Sequence, residues 1–290
     1  VDKYLTQPGA KDEVVETIQT ATDETLYFFT NRGNCFMLDV TRIPETMKLK
    51  DRGSLLTGLI AGLADHEHAV ALVCVKSDEM AKKGDFLFIT KNGQVKRTAA
   101  AEYGIRRARF AAINLKGNDE LVGMVQVDPE DNDDIILITQ LGMALRFKLD
   151  TVSCTGRATA GVRGIDVGKD DEVRWFEIPK AGDMLFVLSD RGFGKRMLSD
   201  DVERQGRAGK GQKLLPMNKT GETGTQVAVC LNVTGAKSVR VEQKHGHTVL
   251  LNMDEIAVER RVSKGQLLVN VLLDDVVQYG ALTAETKDEK

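Results

Sequence analysis

Asp134–Lys148 reads DIILITQLGMALRFK, an apolar run, a polar turn closed by Gly142, and a second run in which Leu145 and Phe147 alternate with Arg146 and Lys148. β-branched and aromatic residues on either side of a short glycine-bearing turn predict a β-hairpin. The alternation predicts that one face of its second strand is buried and the other is basic and exposed. Four other stretches repeat the design: TLYFFTNRGNCFMLDV (25–40), DFLFITKNGQVKRT (85–98), DMLFVLSDRGFGKRM (183–197) and KSVRVEQKHGHTVLL (237–251). Their turn glycines are Gly33, Gly93, Gly142, Gly192 and Gly246, so the spacings are 60, 49, 50 and 54 residues. The longer first interval holds the polar insert KSDEMAKKG (76–84).

A unit of about 50 residues therefore recurs. After each hairpin come a loop, a strand such as FAAINL or QLLVNVL, and another such as ELVGMVQV or EVRWFEI, which makes four strands per unit. Units of this size, without helical periodicity and with only five prolines, predict an all-β, propeller-like arrangement of blades. No amphipathic helix of useful length separates the strands, which excludes the α/β folds. The expected repeats are 12–64, 65–118, 119–170, 171–221 and 222–273, followed by an extra strand at 274–283 and a polar tail at 284–290, all in one domain. That gives about five four-stranded blades. A sixth is expected to be missing or partial, because Val1–Glu13 resembles a loop leaving a blade and VVQYGAL (276–282) resembles an opening strand with no hairpin after it.

Composition narrows the function. With 42% hydrophobic and 29% charged residues the chain can fold around a substantial core, and no apolar run approaches the roughly 20 residues that cross a bilayer. Cys35, Cys74, Cys154 and Cys230 are far apart with no CxxC pair, and are read as reduced core residues of a cytoplasmic protein. His66 and His68, like His245 and His247, have no further Cys or His nearby to complete a metal shell and are read as exposed turn residues. GRAGKGQ (206–212) has its glycines too close to Lys210, and no Ser or Thr after it, to be a phosphate-binding loop of a nucleotidase. No catalytic constellation is found.

The basic residues recur with the hairpins. Lys96 with Arg97, Arg146 with Lys148, and Lys195 with Arg196 lie three to six residues after a turn glycine. Farther on come Arg106, Arg107 and Arg109 in YGIRRARF, Arg157 and Arg163 in TGRATAGVRG, Arg204, Arg207 and Lys210 in ERQGRAGKGQ, and Arg260, Arg261 and Lys264 in ERRVSKGQ. The first unit offers only Lys48, Lys50 and Arg52. Equivalent places in successive blades would align these cations into a stripe matching the phosphates of a duplex. The net charge of −3 and pI near 5.9 argue the other way. Acidic runs such as DPEDNDD (128–134) and GKDDE (168–172) lie in other loops, so the two signs can segregate. A protein-interaction propeller is the competing reading. With aromatic residues at 5% and Trp175 read as core, a sugar-binding pocket is disfavoured.

The hairpins, with NGQVKRTAAAEY, NDELVGMVQV, GRATAGVRGIDVGKDDEV and RGFGKRMLSDDV, resemble the C-terminal domain of the A subunit of bacterial type IIA DNA topoisomerases from about Glu13 to Gly280. The resemblance implies a β-pinwheel whose blades exchange strands and whose basic rim binds and bends duplex DNA without reading its sequence. It implies further that this region has no catalytic residue, cofactor or metal of its own. The cleavage tyrosine, the ATP and Mg chemistry and the ATPase B subunit would lie elsewhere in an isomerase acting in the cytoplasm at the nucleoid. Gyrase carries a glycine- and arginine-rich box in its first blade, and RQGRAGKGQ is the nearest likeness here. The fifth repeat has no basic pair after its glycine, which looks more like topoisomerase IV (decatenation and relaxation) than like gyrase (wrapping for negative supercoiling).

Overall fold

The computed structural model describes residues 17–45 and 53–283. Val1–Glu13, Lys48, Lys50, Arg52 and the tail at 284–290 lie outside the described residues. The chain divides into two compact units. One comprises Val1–Thr90, Val95–Asp131 and Ser153–Gly161, and the other Lys91–Gln94, Asn132–Val152 and Val162–Lys290.

The strands of the first unit are β1 (Thr25–Thr30), β2 (Asn34–Asp39), β3 (Ala69–Val75), β4 (Asp85–Thr90), β5 (Gln94–Ala99), β6 (Arg109–Ala111) and β7 (Leu121–Val127). One sheet has the order β3-β1-β2-β6, and in another β4 lies between β5 and β7. In the second unit follow β8 (Asp134–Thr139), β9 (Met143–Lys148), β10 (Val162–Arg163), β11 (Val173–Glu177), β12 (Met184–Ser189) and β13 (Phe193–Leu198). β14 (Gln212–Lys213), β15 (Val227–Asn232), β16 (Ser238–Gln243), β17 (Thr248–Asn252), β18 (Gln266–Leu267) and β19 (Val277–Leu282) complete it. Its sheets are β11-β8-β9-β14, β15-β12-β13-β18 and the three-stranded β17-β16-β19.

All five expected hairpins form, and every pairing within them is antiparallel. Their turns share one geometry. The amide of Gly33, Gly142, Gly192 or Gly246 donates to the carbonyl three residues earlier, and each of these glycines has φ between +74° and +89°. This is a type I turn closed by a left-handed residue, a place that glycine fills at least cost. Threonine or serine at the turn's start adds a hold: the Asn34, Met143 and Phe193 amides donate to the side-chain hydroxyls of Thr30, Thr139 and Ser189.

The sheets are not built from contiguous repeats. The strand before the second apolar segment of a unit crosses back: β6 pairs with β2, β14 with β9 and β18 with β13. Each of these sheets thus takes its outer strand from beyond the following hairpin. FAAINL and QLLVNVL therefore close the sheet of the preceding hairpin, and do not complete the sheet of the hairpin they directly follow.

Central strands β1, β4 and β8 are buried at every position, because both faces of their sheets are covered. In the first unit Phe29, Phe86, Phe88 and Tyr103 pack with ring centroids 5.4–5.7 Å apart. In the second, Ile136, Ile138, Leu185, Val187 and Leu215 form one core cluster. Phe186, Leu188, Val239, Val241 and Val269 form another. Trp175 packs half-buried against the first of these. Cys35 and Cys230 are buried and Cys74 is half-buried, but Cys154 is exposed, which corrects its expected place in the core. The four histidines are exposed, as expected of turn residues.

Candidate nucleic-acid interface

The second strand of a hairpin and the basic loop that follows the next one are built as a pair. In the first unit, the amide of Thr155 donates to the carbonyl of Arg97 at 2.9 Å. In the second, the Gln205 amide donates to Arg146 O and the Glu259 amide to Arg196 O, each at 2.8 Å. Each loop is thereby seated at the same point of a hairpin, four residues after its turn glycine.

Within the loops, one arginine is a strut. Arg157 Nη1 donates to Ala111 O at 2.8 Å, with its guanidinium 5.0 Å from the Phe110 ring centroid. Arg207 Nη1 donates to Arg163 O at 2.6 Å, and Arg261 Nη1 to Lys213 O at 2.9 Å. These three are half-exposed. Arg106, Arg107, Arg109, Arg163, Arg204, Lys210, Arg260 and Lys264 are exposed. Arg109 is steadied by the Gly62 carbonyl at 3.1 Å and by the Phe36 ring at 5.2 Å. Among the described residues, Arg106, Arg107, Lys210, Arg260 and Lys264 form no ion pair. Their charge faces solvent.

The strand positions behave differently from expectation. Lys96 and Lys195 are fully buried, not on a basic face. Lys96 Nζ donates to Ala112 O at 3.1 Å and to Arg157 O at 2.6 Å. Lys195 Nζ donates to the carbonyls of Arg260, Arg261 and Ser263 at 3.0, 2.6 and 2.5 Å. Burial, with the Arg157 charge beside Lys96 and the Arg261 charge beside Lys195, brings both ammonium groups down to about 8. Arg97, Arg146 and Arg196, expected to be exposed, are also drawn inward. Arg97 Nε lies 3.0 Å from Asp85 Oδ2 and Arg196 Nε donates to Ile256 O at 2.7 Å. Arg146 is held by Asp134 at 2.7 Å and Asp200 at 3.0 Å, and Arg204 meets the same Asp134 oxygen at 2.9 Å. Lys148 is half-buried, with Nζ 3.2 Å from Asn132 Oδ1.

The physical reason is the two-sided cover of the sheets. Two successive residues of β5, β9 and β13 are buried in each strand, so simple alternation does not assign their faces. One exposed cation escapes the spacing from the turn glycines. Lys213, on the edge strand β14, occupies the place that Arg163 holds in the loop before it, and laying the two loops side by side finds it.

An all-β chain of antiparallel sheets that borrow strands from farther along the chain, with cation-bearing loops seated on its hairpins, is a β-pinwheel. The chain is similar to the C-terminal domains carried by the A subunits of type IIA DNA topoisomerases. The family described as "DNA gyrase C-terminal domain, beta-propeller" matches residues 84–128, 133–180 and 183–224. The DNA gyrase A protein of Deinococcus deserti is 33% identical over 93% of this chain and 33% of its own length. That of Chlamydia trachomatis is 30% identical over 89% of this chain and 30% of its own length. The chain thus spans about a third of the relatives it matches. Among solved structures, the C-terminal domain of DNA topoisomerase IV superposes with a TM-score of 0.80 at 25% identity, covering 90% of this chain and 79% of that one. The DNA gyrase A C-terminal domain gives 0.68 at 18% identity, covering 91% and 84%, a likeness of fold.

Proposed function

We propose that the exposed loop cations bind the phosphates of duplex DNA without regard to sequence, and that the domain bends the duplex as part of a type IIA topoisomerase. The observation that carries this reading is the recurrence of exposed arginine and lysine in loops seated at the same hairpin position in successive repeats. Phosphate contacts position a duplex but carry no sequence information. Bending 20–30 base pairs through 40–90° costs about 1–6 kcal/mol, which several distributed contacts can offset. The proposed partners are duplex DNA, the ATPase B subunit and the rest of the A subunit, in the cytoplasm at the nucleoid.

Electrophoretic shifts of the 290-residue chain with unrelated 40-base-pair duplexes test this. Similar affinities at low salt, weakening steeply as salt rises, are expected. A folded chain that shifts no duplex would sink the proposal and favour protein interaction.

Between the two enzymes, the fifth repeat supports topoisomerase IV, while the names of the sequence relatives support gyrase. The relatives' names carry more weight, since they rest on most of the chain and the other argument on one repeat. ATP-dependent negative supercoiling of a relaxed plasmid by the full-length protein with its B partner is then expected. Decatenation without supercoiling would restore topoisomerase IV.

A further inference from the structure

Lys195 presents three ammonium donors to three carbonyls of one loop, those of Arg260, Arg261 and Ser263. Lys96, at the same place after its own turn glycine, gathers the carbonyls of Ala112 and Arg157. A buried ammonium is costly unless its donors are satisfied, so these carbonyls are obliged to face inward. The Ser263 amide meanwhile donates to Arg260 O at 3.0 Å, which wraps the segment into a turn around the cation. The exposed side chains of Arg260 and Lys264 project from that turn.

The place is not always a lysine. In the third hairpin it is the buried Leu145, and there the loop is held from outside by Arg204 on Asp134. The loop at 259–264 has no such ion pair to Asp134's counterpart, because the place of Asp134 in its hairpin is taken by Met184. The fold therefore accepts an apolar residue at this strand position, and the ammonium serves the loop.

We propose that Lys195, and likewise Lys96, is a positioning residue for the DNA-facing cations: its buried ammonium gathers the loop's carbonyls and thereby fixes where Arg260 and Lys264 present their charge. This rests on the reading of those loops as phosphate contacts. The test compares the 290-residue chain with Lys195→Leu, Lys195→Arg, the pair R260A/K264A, and that pair combined with K195L.

Two quantities are measured, amide exchange over residues 259–265 and affinity for a 40-base-pair duplex. In folded K195L, exchange in the loop is expected to accelerate at least tenfold and affinity to fall at least fivefold. K195R, which keeps the charge, should recover much of the protection. Adding K195L to R260A/K264A should cost little further affinity, because the lysine acts through those side chains. Parental exchange or parental affinity in folded K195L, or full additivity with R260A/K264A, overturns the proposal. If K195L does not fold, Lys96→Leu carries the comparison, with exchange read over residues 154–161 and affinity for the same duplex measured beside the parent; parental exchange or parental affinity in folded K96L overturns the proposal. A parent chain that binds no duplex would remove the DNA reading itself, and the exchange comparison would then decide alone whether the lysine orders the loop.

Discussion

Arginines on strands and arginines in loops have different roles at the residue scale. Arg146 is 14% exposed and shares Asp134, itself 2% exposed, with Arg204. R146A leaves that carboxylate short of a charged donor, at a cost of about 2 kcal/mol. Arg106 and Arg107 are exposed, so R106A/R107A should change stability by less than about 0.5 kcal/mol each. The same pair should flatten the slope of log affinity against log salt by about 1.8, at about 0.9 per phosphate contact. Thermal melts and salt titrations of both variants check this contrast. An unchanged slope for folded R106A/R107A would remove those two from the contact surface.

The buried lysines also set a pH signature. Burial brings Lys96 from 10.5 to about 8 in the folded chain. Arg157 lowers it further, while Glu102 and Cys154 act to raise it. Between those values the unfolded chain holds a proton that the folded chain has released, so this group's contribution to stability rises with pH across the window. The parent should therefore gain on K96L as pH increases from about 8 to 10.5, read from denaturant melts. A constant gap would show that the carbonyls keep the ammonium charged throughout.

Turn geometry decides function at the scale of the element. The carbonyl of Gly192 accepts from the amides of Leu268 and Val269, and a Cβ added there would lie 2.0 Å from Val269 O. G192A combines left-handed strain with that clash and should cost more than about 2 kcal/mol. G235A, where nothing lies within 4 Å of the added carbon, should cost about 1–2 kcal/mol. Because β18 follows the loop of Arg260 and Lys264, G192A should also weaken duplex binding, whereas G235A should not. Equal effects on binding would separate the turn from the loop.

The same elements show what a sequence can reveal. Hairpins are legible because a type I turn closed by a left-handed residue demands glycine and leaves it at a regular spacing. Strand exchange is legible only through the family resemblance, since Gln212–Lys213 and Gln266–Leu267 are two-residue strands with no periodicity to read. The burial of Lys96 and Lys195 is hidden for a related reason. On a sheet covered from both sides, spacing from the glycine does not say which residues reach solvent. The exposed loop cations, by contrast, are directly recognisable, as glycine-rich basic segments are poor candidates for a core.

For the whole molecule, the loop cations set a bound. If each of Arg106, Arg107, Arg109, Arg163, Arg204, Lys210, Arg260 and Lys264 met one phosphate, the salt slope would be about −7. A slope shallower than this and the same for unrelated duplexes is expected. A steeper one would bring Lys213 into the contact set. Bending is tested by ligase-catalysed closure of fragments of about 150 base pairs, near the persistence length of DNA. The domain should speed closure, and binding without faster closure would refute the bend.

During synthesis the chain emerges at about 5–20 residues per second. No hairpin can then complete its sheet when it first appears. β2 waits for Arg109–Ala111, β9 for Gln212–Lys213 and β13 for Gln266–Leu267, each about 60–70 residues downstream. That interval lasts about 3–14 s, and throughout it the second strand of the waiting hairpin is an open edge able to capture a foreign strand. The half-buried charges of Lys148 on β9 and Arg196 on β13 stand on those waiting edges, where charge discourages such pairing. Assembly is thereby forced into chain order, each sheet sealed by the passage of the next, and β17 is the edge at which, among the described residues, the wait does not end.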